Sequence, residues 1–215
     1  MKAFEVQGGI KLHREITPQG AKNEALQIIS AVLLTPEAIT IHNIPDILDV
    51  NLLIDLLEDL GVGVNRIDRH TCTFKADHVA LEKLEDPEFQ KNSSRLRGSV
   101  MIAGPLLGRF KKAFIPKPGG DKIGRRRLDT HIIGFEKLGV KFEYIQGEGF
   151  FRLHTDQLIG TDLLLDEPSV TGTANIIFAA VLAKGKTTIY NAACEPYIQQ
   201  LCKMLNSMGG KISGV

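Results

Sequence analysis

Hydrophobic and polar positions along the chain repeat in one recognisable unit. Each copy has a polar, glycine-containing turn, an apolar helix, a short β-branched strand and then an amphipathic helix. The two clearest copies place the apolar helices over residues 25–34 and 174–183, and both following strands end at an asparagine. The amphipathic helices cover residues 50–60 and 197–208. The pattern predicts a fold built from repeats of this unit.

A weaker copy lies between these two. Its first helix is predicted over residues 94–107, its strand over 113–116 and its second helix over 128–138. In every copy the second helix stops at a glycine, a residue that closes helices because it readily takes the left-handed conformation. These glycines are Gly61, Gly139 and Gly209.

Alternating runs after the first two terminal glycines predict strand pairs. The first pairs residues 62–67 with 72–76, and the second pairs residues 140–145 with 150–154. The third copy contains only the first strand of such a pair, predicted over residues 211–215. Either residues 4–7 supply the missing strand, or the chain is part of a longer protein.

The first helices are apolar over most of their surface and are therefore expected to be buried, whereas the one-sided second helices should lie outside. This predicts an α/β (α+β) fold with three inner helices, wrapped by short mixed sheets and outer helices in pseudo-threefold arrangement. We expect an N-terminal strand segment over residues 1–18 and one domain over 19–215, with units at about 19–77, 88–155 and 160–215.

The middle copy carries an insertion of unusual composition. Residues 116–127 contain three glycines, two prolines, five cations and one carboxylate, Asp121. Glycine and proline disfavour helix and strand there. Backbone N–H groups and cations can bind an anion, and a carboxylate among them can transfer a proton. A solvated charged loop is the plainer alternative.

The N-terminal ends of the three inner helices are the second candidate feature. If the helices run parallel, their partial positive charges gather at one end of the molecule and attract anions. The residues at these ends are 20–23, 92–97 and 169–172, and we expect the basic insertion to lie over them.

Composition narrows the function classes. The net charge of +1 argues against general binding of polyanions, and few aromatics accompany the basic run, so base stacking on nucleic acid is not expected. Three cysteines without paired spacing, no signal-peptide pattern and no long apolar run predict a cytoplasmic protein without a membrane span. The six histidines show no metal-ligand spacing, so no metal or other cofactor is expected.

Several motifs resemble the UDP-N-acetylglucosamine enolpyruvyl transferase family. They occur in order along almost the whole chain: Gly-Ala-Lys-Asn-Glu-Ala-Leu at 20–26, Arg-Gly-Ser-Val at 97–100, Gly-Pro-Leu at 104–106, Pro-Gly-Gly-Asp-Lys-Ile-Gly at 118–124, Glu-Pro-Ser-Val-Thr at 167–171 and Asn-Ala-Ala-Cys-Glu-Pro at 191–196. The resemblance implies an enzyme of about twice this length with two inside-out α/β barrels. This chain would be the N-terminal barrel, and the second barrel of the same enzyme its partner.

The family resemblance also implies a reaction. Phosphoenolpyruvate donates its enolpyruvyl group to the 3′-hydroxyl of UDP-N-acetylglucosamine and phosphate leaves, as the first committed step of peptidoglycan synthesis. Such an enzyme would serve cell-wall biogenesis, cell shape and cell division. The family's general base and further phosphoenolpyruvate-binding arginines would lie in the other barrel, so the 215-residue chain is expected to have no turnover alone.

Residue roles follow from the same resemblance. Asp121, Lys22 and Arg126 are the expected catalytic residues. Substrate-binding positions are expected at Lys22, Asn23, Arg97, Arg126, Arg127, Leu128, Asp129, Thr130, Ser169 and Val170. From the residues alone, Asn23 could instead cap a helix, Lys22 could be a solvated lysine, and Arg97 could form a surface ion pair. His131, after the basic insertion, receives no role.

The chain departs from the family pattern in places. Many members have cysteine at the position of Asp121, where it is the target of the epoxide antibiotic fosfomycin. An aspartate is a poorer nucleophile than a thiolate, which predicts fosfomycin resistance. Arg127 replaces a common proline, Cys194 a common arginine and Glu167 a lysine of some members, so the nucleotide contacts are open.

Two other function classes remain open at this point. One is the sister transferase that makes 5-enolpyruvylshikimate-3-phosphate, which shares the fold. The other is a non-catalytic module that binds phosphate or nucleic acid through the basic insertion.

Overall fold

The computed structural model describes residues 3–116, 128–145 and 150–215, which form three similar units around a shared hydrophobic core. The inner helices are largely buried and lie at the centre, as in the helix Val170–Ala180, where the run from Ala174 to Ala179 is buried. The predicted α/β architecture of inner helices, outer helices and short sheets is confirmed.

The first unit begins after residues 3–20, which form no helix or strand. Its inner helix ends in a short 3-10 turn, and its outer helix is one-sided. The elements are α1 (Lys22–Ala31) with the turn Val32–Leu34, β1 (Ala38–Ile41), α2 (Leu48–Asp59), β2 (Gly63–Asp68) and β3 (Thr71–Lys75).

The second unit has an inner helix broken into pieces. The side chain of Asp86 caps its first piece by accepting a hydrogen bond from the backbone N–H of Glu88. The elements are the 3-10 helix Leu81–Glu85, α3 (Pro87–Arg95), the 3-10 helix Arg97–Ile102, α4 (Ala103–Phe110), β4 (Lys112–Ile115), α5 (Asp129–Lys137), β5 (Lys141–Ile145) and β6 (Phe150–His154).

The third unit has fewer strands than the others. Its inner helix joins two short strands that run parallel to each other, and its outer helix begins at a proline. The elements are β7 (Asp162–Leu164), α6 (Val170–Ala180), β8 (Thr188–Tyr190) and α7 (Pro196–Ser207).

The inner helices run in the same direction, as the close contacts at their glycines show. Gly98 lies against Leu26 near the start of α1, and Gly108 lies against Leu34 near its end. Because the later residue of the second inner helix contacts the later residue of the first unit, the first two inner helices are parallel. Their N-terminal ends therefore lie at the same end of the bundle, which we call the front end.

The third inner helix joins this parallel set through contacts with α4. Gly104 packs on Asn175, and Gly108 packs on Phe178 one turn later. A Cβ atom on Gly104 would come within 2.5 Å of the Asn175 carbonyl oxygen, so only glycine permits this approach. The C-terminal ends of the three helices form the back end of the bundle.

The sheets wrap the bundle in a repeated topology. The first has the strand order β1-β3-β2 and the second β4-β6-β5, each with antiparallel neighbours and the last strand in the centre. The third sheet contains only the parallel pair β7-β8 among the residues that the structure describes. The predicted strand pairs of the first two units are thus confirmed.

The terminal glycines of the outer helices are confirmed as well. Gly61, Gly139 and Gly209 have φ values of 89°, 92° and 102°, in the left-handed region. β1 and β8 end shortly before the predicted asparagines, and these two residues share a left-handed conformation, with φ 58° at Asn43 and φ 56° at Asn191. The repeat seen in the sequence is therefore a repeat of backbone conformation.

Two predicted elements are wrong. The continuous helix over residues 94–107 is interrupted at Leu96, which is extended. There the Ser99 hydroxyl donates to the Ser93 carbonyl at 2.7 Å, a side-chain bond that competes with helix continuation. Residues 211–215 form no strand, and neither do residues 4–7. Residues 3–18 of the predicted N-terminal strand segment form no strand either, and the domain division itself stays a prediction.

Candidate functional site

The front end of the bundle brings together several of the predicted site residues. Gly98, next to Arg97, contacts α1 at Leu26. The charge of Arg97 acts on His131 of α5, and the His131 Nε2 atom lies 3.1 Å from the Thr171 Oγ1 atom of α6. A chain of contacts through Gly98, Arg97 and His131 therefore connects α1, the second unit and the start of α6.

Ser169 and Val170 form the start of α6. The Ser169 hydroxyl accepts a hydrogen bond from the backbone N–H of Gly172 at 3.3 Å, as an N-cap does. The first turn of a helix leaves backbone N–H groups without intrahelical acceptors, and the helix dipole adds positive potential there. This end of α6 can therefore attract an anionic group.

Thr130 is buried at the junction of α5 and α6. Its hydroxyl donates towards the carboxylate of Asp166 at 3.4 Å, and its methyl group lies where a Cβ atom on Gly172 would project. Glycine at 172 thus allows α5 to approach the first turn of α6. Leu128 and Asp129, at the start of α5, are half-buried beside this junction, and Asp129 is engaged in an interaction of its own.

His131 lies at the centre of a buried polar network. Its exposed fraction is 1%, and its Nδ1 atom lies 2.9 Å from the Asn175 side-chain nitrogen. Because the amide nitrogen can only donate, Nδ1 accepts and Nε2 carries the proton towards Thr171. Burial, and then the positive charge of Arg97, lower the pKa of His131 to about 4. The ring is therefore neutral near pH 7.

Asn175 extends the network to the second unit. Its side-chain nitrogen donates to the Val100 carbonyl, and its side-chain oxygen accepts from the Gly104 N–H, both at 2.9 Å. Asn175 and His131 received no role from the sequence. The signal that could have found Asn175 is a single amide in the otherwise apolar run from Ala174 to Ala179.

Lys22 and Asn23 lie in the first turn of α1. Lys22 forms an ion pair with Asp49 of α2, and both side chains are more than a third exposed. Asn23 is exposed and does not cap the helix, because Ala21 occupies the cap position without a side-chain hydrogen bond. The capping alternative for Asn23 is therefore wrong, and Asp49 is a neighbour that sequence reasoning missed.

Three predicted site residues, Asp121, Arg126 and Arg127, lie outside the described residues. Arg97 is half-buried at the start of its 3-10 helix and takes part in an interaction. Within residues 3–116, 128–145 and 150–215, no group of three or more histidine, cysteine or acidic side chains could hold a metal ion. In the same part of the chain, no helix has the length and apolar character to cross a membrane.

Comparison with known protein families gives one match that covers nearly the whole chain. Residues 6–215 match the family model for EPSP synthase (3-phosphoshikimate 1-carboxyvinyltransferase).

Curated relatives are similar over the whole chain. The UDP-N-acetylglucosamine 1-carboxyvinyltransferases of Bacteroides fragilis and Porphyromonas gingivalis are 61% and 59% identical to it over 215 residues. That of Borrelia garinii subsp. bavariensis is 44% identical. In each case all of this chain is covered but only 49–50% of the relative. The chain thus spans about half the length of the curated relatives it matches.

Solved structures share the fold at low sequence identity. The enolpyruvyl transferase NikO from Streptomyces tendae superposes with a TM-score of 0.81 at 17% identity, covering 97% of this chain and 48% of that protein. An EPSP synthase from Acinetobacter baumannii gives a TM-score of 0.68 at 14% identity, covering 93% and 44%. Together with the family match, these similarities show that the chain belongs to the EPSP synthase (3-phosphoshikimate 1-carboxyvinyltransferase) family.

Proposed function

We propose that this chain forms one half of an enzyme that transfers the enolpyruvyl group of phosphoenolpyruvate to the 3′-hydroxyl of UDP-N-acetylglucosamine. The observation that carries the proposal is the identity of 41–61% to UDP-N-acetylglucosamine 1-carboxyvinyltransferases over the whole chain. The polar front end of the inner helices supports it, because both substrates are anions.

The front end suits this chemistry in two ways. The first turns of α1 and α6 offer backbone N–H groups, and Lys22 and Arg97 add positive charge beside them. In the proposed reaction the sugar hydroxyl adds to C2 of phosphoenolpyruvate while C3 takes a proton. The hydroxyl proton passes to the general base of the other half, and the adduct then loses a proton from C3 together with phosphate to give the enol ether. Fixed cations stabilise the charge on the leaving phosphate.

Asp121 is proposed as the acid that protonates C3, with Arg126 beside the transferred group and Arg127 beside the nucleotide. These assignments rest on the sequence motif, since the three residues lie outside the described part of the chain. A carboxyl group at this position performs the proton transfer without a thiolate, so the enzyme is expected to resist fosfomycin. The nucleotide would meet residues 128–130 and Ser169–Val170.

The alternative substrate of this fold is shikimate-3-phosphate. The family model carries the name of that transferase, but the structures that share the fold are only 14–17% identical to this chain. The relatives that are 41–61% identical are named for the sugar nucleotide. The sugar-nucleotide reaction is therefore the better-supported proposal. It places the protein in peptidoglycan synthesis, and hence in cell shape and division, in the cytoplasm.

The second barrel of the same enzyme is the proposed partner. The chain spans about half of its relatives, and the resemblance assigns the general base to the other half. We therefore expect no phosphate release from the 215-residue chain alone.

The proposal is tested by phosphate release in the full-length protein. Turnover is expected with phosphoenolpyruvate and UDP-N-acetylglucosamine, and no turnover with shikimate-3-phosphate. Asp121→Asn should reduce kcat by about 100-fold or more, because a general acid typically contributes 10²–10⁴. Asp129→Asn, which also removes one carboxylate near the insertion, is the matched comparison and should lose less. With phosphoenolpyruvate as donor, turnover of shikimate-3-phosphate but not of UDP-N-acetylglucosamine would overturn the substrate assignment.

A further inference from the structure

Thr171 is the residue through which the buried polar network of the front end reaches the surface. It lies in the first turn of α6 and is exposed. His131 and Asn175 behind it are buried, with exposed fractions of 1% and 0%. Because these two side chains are shielded from solvent, the protein itself sets the direction of every hydrogen bond between them.

Two backbone groups fix the orientation of the Asn175 amide. The N–H of Gly104 can only donate, so it selects the side-chain oxygen, and the carbonyl of Val100 can only accept, so it selects the side-chain nitrogen. The second hydrogen of that nitrogen then points at the His131 Nδ1 atom, at 2.9 Å. The ring is left with one possible tautomer, in which Nε2 carries the proton.

This ring proton decides what the Thr171 hydroxyl can offer to a ligand. The N–H at Nε2 of His131 is donated to the Thr171 Oγ1 atom at 3.1 Å, so the oxygen is an acceptor in that bond. Its own hydrogen has no acceptor within residues 3–116, 128–145 and 150–215. The hydroxyl therefore presents a donor, not an acceptor, to whatever lies in front of α6.

The rest of this helix start presents donors as well. The N–H of Gly172 bonds to the Ser169 hydroxyl, and the N–H of Thr173 bonds to the Ser169 carbonyl at 2.8 Å. The N–H groups of Val170 and Thr171 remain without an intrahelical acceptor. A set of donors at the positive end of a helix favours a group that only accepts and is negatively charged, as an ionised phosphate is.

We infer that Thr171 is a further binding residue of this site, whose hydroxyl donates to a phosphate oxygen of the bound nucleotide, and that His131 is the positioning residue that keeps this hydrogen turned outward. The inference rests on the proposed function, because it takes the sugar nucleotide as the ligand at the start of α6. It goes beyond that function, since the family resemblance assigned no role to either residue.

Titration of the full-length protein with UDP and with uridine tests the role of Thr171. Thr171→Val keeps the branched shape but removes the hydroxyl. It should weaken the binding of UDP by about tenfold, the effect of one hydrogen bond to a charged group, and leave the binding of uridine unchanged. Thr171→Ser, which keeps the hydroxyl, should retain most of the affinity for UDP.

Thr161→Val is the matched control. The N–H of the neighbouring Gly160 bonds to the Lys184 carbonyl, beyond the end of α6, so Thr161 lies towards the back end of the bundle. This variant should bind UDP and uridine as the unmodified protein does. Equal affinities of Thr171→Val and the unmodified protein for UDP, or equal losses for UDP and uridine, would overturn the inference.

The position of the ring proton tests the role of His131 without any substitution. A proton–nitrogen correlation spectrum of the labelled full-length protein should show the proton on Nε2. A proton on Nδ1 would turn the Thr171 hydroxyl towards the ring as a donor, and would overturn the inference.

Coupling between the two residues tests the positioning role further. His131→Leu should weaken UDP binding when Thr171 is present and should have no further effect in a Thr171→Val background, because both changes remove the same outward donor. Additive losses would overturn the positioning role. These measurements need no turnover, so their failure is distinct from failure of the proposed function, which is an absence of phosphate release by the unmodified full-length protein.

Discussion

The two ends of the inner-helix bundle are built from different side chains, although the same three helices form both. The front end gathers Ser169, Thr171, His131 and Arg97, with a buried polar network between them. At the back end, Gly108 lies against the Leu34 and Leu182 side chains and the Phe178 backbone. Helix direction alone gives the front end its positive potential, and the polar side chains gathered there make it the candidate site.

The back end also shows how the fold satisfies backbone carbonyls where no ligand is expected. Arg109 donates to the Leu33 carbonyl at 3.2 Å and to the Ala76 carbonyl at 2.6 Å. The Arg109 side chain thus supplies a hydrogen-bond donor for a carbonyl at the C-terminal end of a helix, where no intrahelical donor is available. Substitutions at the two ends should therefore separate stability from function.

The largest expected effect on stability is at the back end. Arg109→Met should lower the free energy of unfolding by about 4 kcal/mol, because two carbonyls lose their donor at roughly 1–3 kcal/mol each. In the full-length protein, kcat should be unchanged at temperatures where the variant is folded. Urea unfolding measures the first quantity, and Arg66→Met, which removes an exposed ion pair at 3.6 Å, is the control. Loss of kcat in folded Arg109→Met would contradict the separation of the two ends.

His131 should make the front end sensitive to acid. Its pKa in the fold is about 4 and its ordinary value is 6.5, so the unfolded chain takes up the proton first as the pH falls. The neutral ring's contribution to the free energy of unfolding is fully present above about pH 6.5. It is lost progressively as the pH falls towards 4, a total decrease of about 3 kcal/mol.

His131→Gln tests this pH dependence. The variant should be about 1–2 kcal/mol less stable at pH 7, since it breaks the contacts with Thr171 and Asn175. Its disadvantage should shrink as the pH falls from 6.5 to 4.5. His154→Gln, at an exposed strand position, should follow the unmodified protein throughout. Parallel stability curves for His131→Gln and the unmodified protein would exclude a neutral buried ring.

Lys22 should affect function more than stability. In the full-length protein, Lys22→Ala should lower kcat/KM for phosphoenolpyruvate by about 100-fold, the value of a charge-assisted hydrogen bond to phosphate. Its exposed ion pair with Asp49 contributes at most about 1 kcal/mol to folding. Lys75→Ala removes a similarly exposed ion pair, with Asp77, and should leave kcat/KM unchanged. Equal kinetic effects of the two variants would remove Lys22 from the site.

The smallest expected effect compares two helix caps. Ser169→Ala and Asp86→Ala each remove one N-cap, at the starts of α6 and α3, and each should cost about 1 kcal/mol of stability. Only Ser169→Ala should also weaken the binding of UDP-N-acetylglucosamine, by a few-fold in calorimetric titration of the full-length protein. If both variants bind equally well, Ser169 is a cap and nothing more.

Much of this architecture could be predicted from the sequence because each unit repeats the same local signals. Gly61, Gly139 and Gly209 marked the ends of the outer helices, and the backbone there has positive φ. The break at Leu96 could not be predicted, because serine hydroxyls that compete with helix continuation act through local geometry that periodicity does not contain.

The candidate site was predictable only in part. Lys22, Arg97 and Ser169 could be placed at predicted helix starts from the sequence, whereas their roles came from the family motifs that contain them. His131 and Asn175 could not be linked, since 44 positions separate them and only packing of α5 on α6 brings their side chains to 2.9 Å. The alternating pattern of residues 211–215 could not reveal that they form no strand, because a pattern within one segment contains no information about a neighbouring strand.

The most direct test is to map by nuclear magnetic resonance where UDP-N-acetylglucosamine perturbs the isotopically labelled full-length protein. We expect shifts for the backbone amides of Asn23, Thr171 and Gly172 at the front end, and none for Leu34, Phe110 and Ala183 at the back end. Shifts concentrated at the back end, or perturbation by shikimate-3-phosphate but not by the sugar nucleotide, would contradict this expectation.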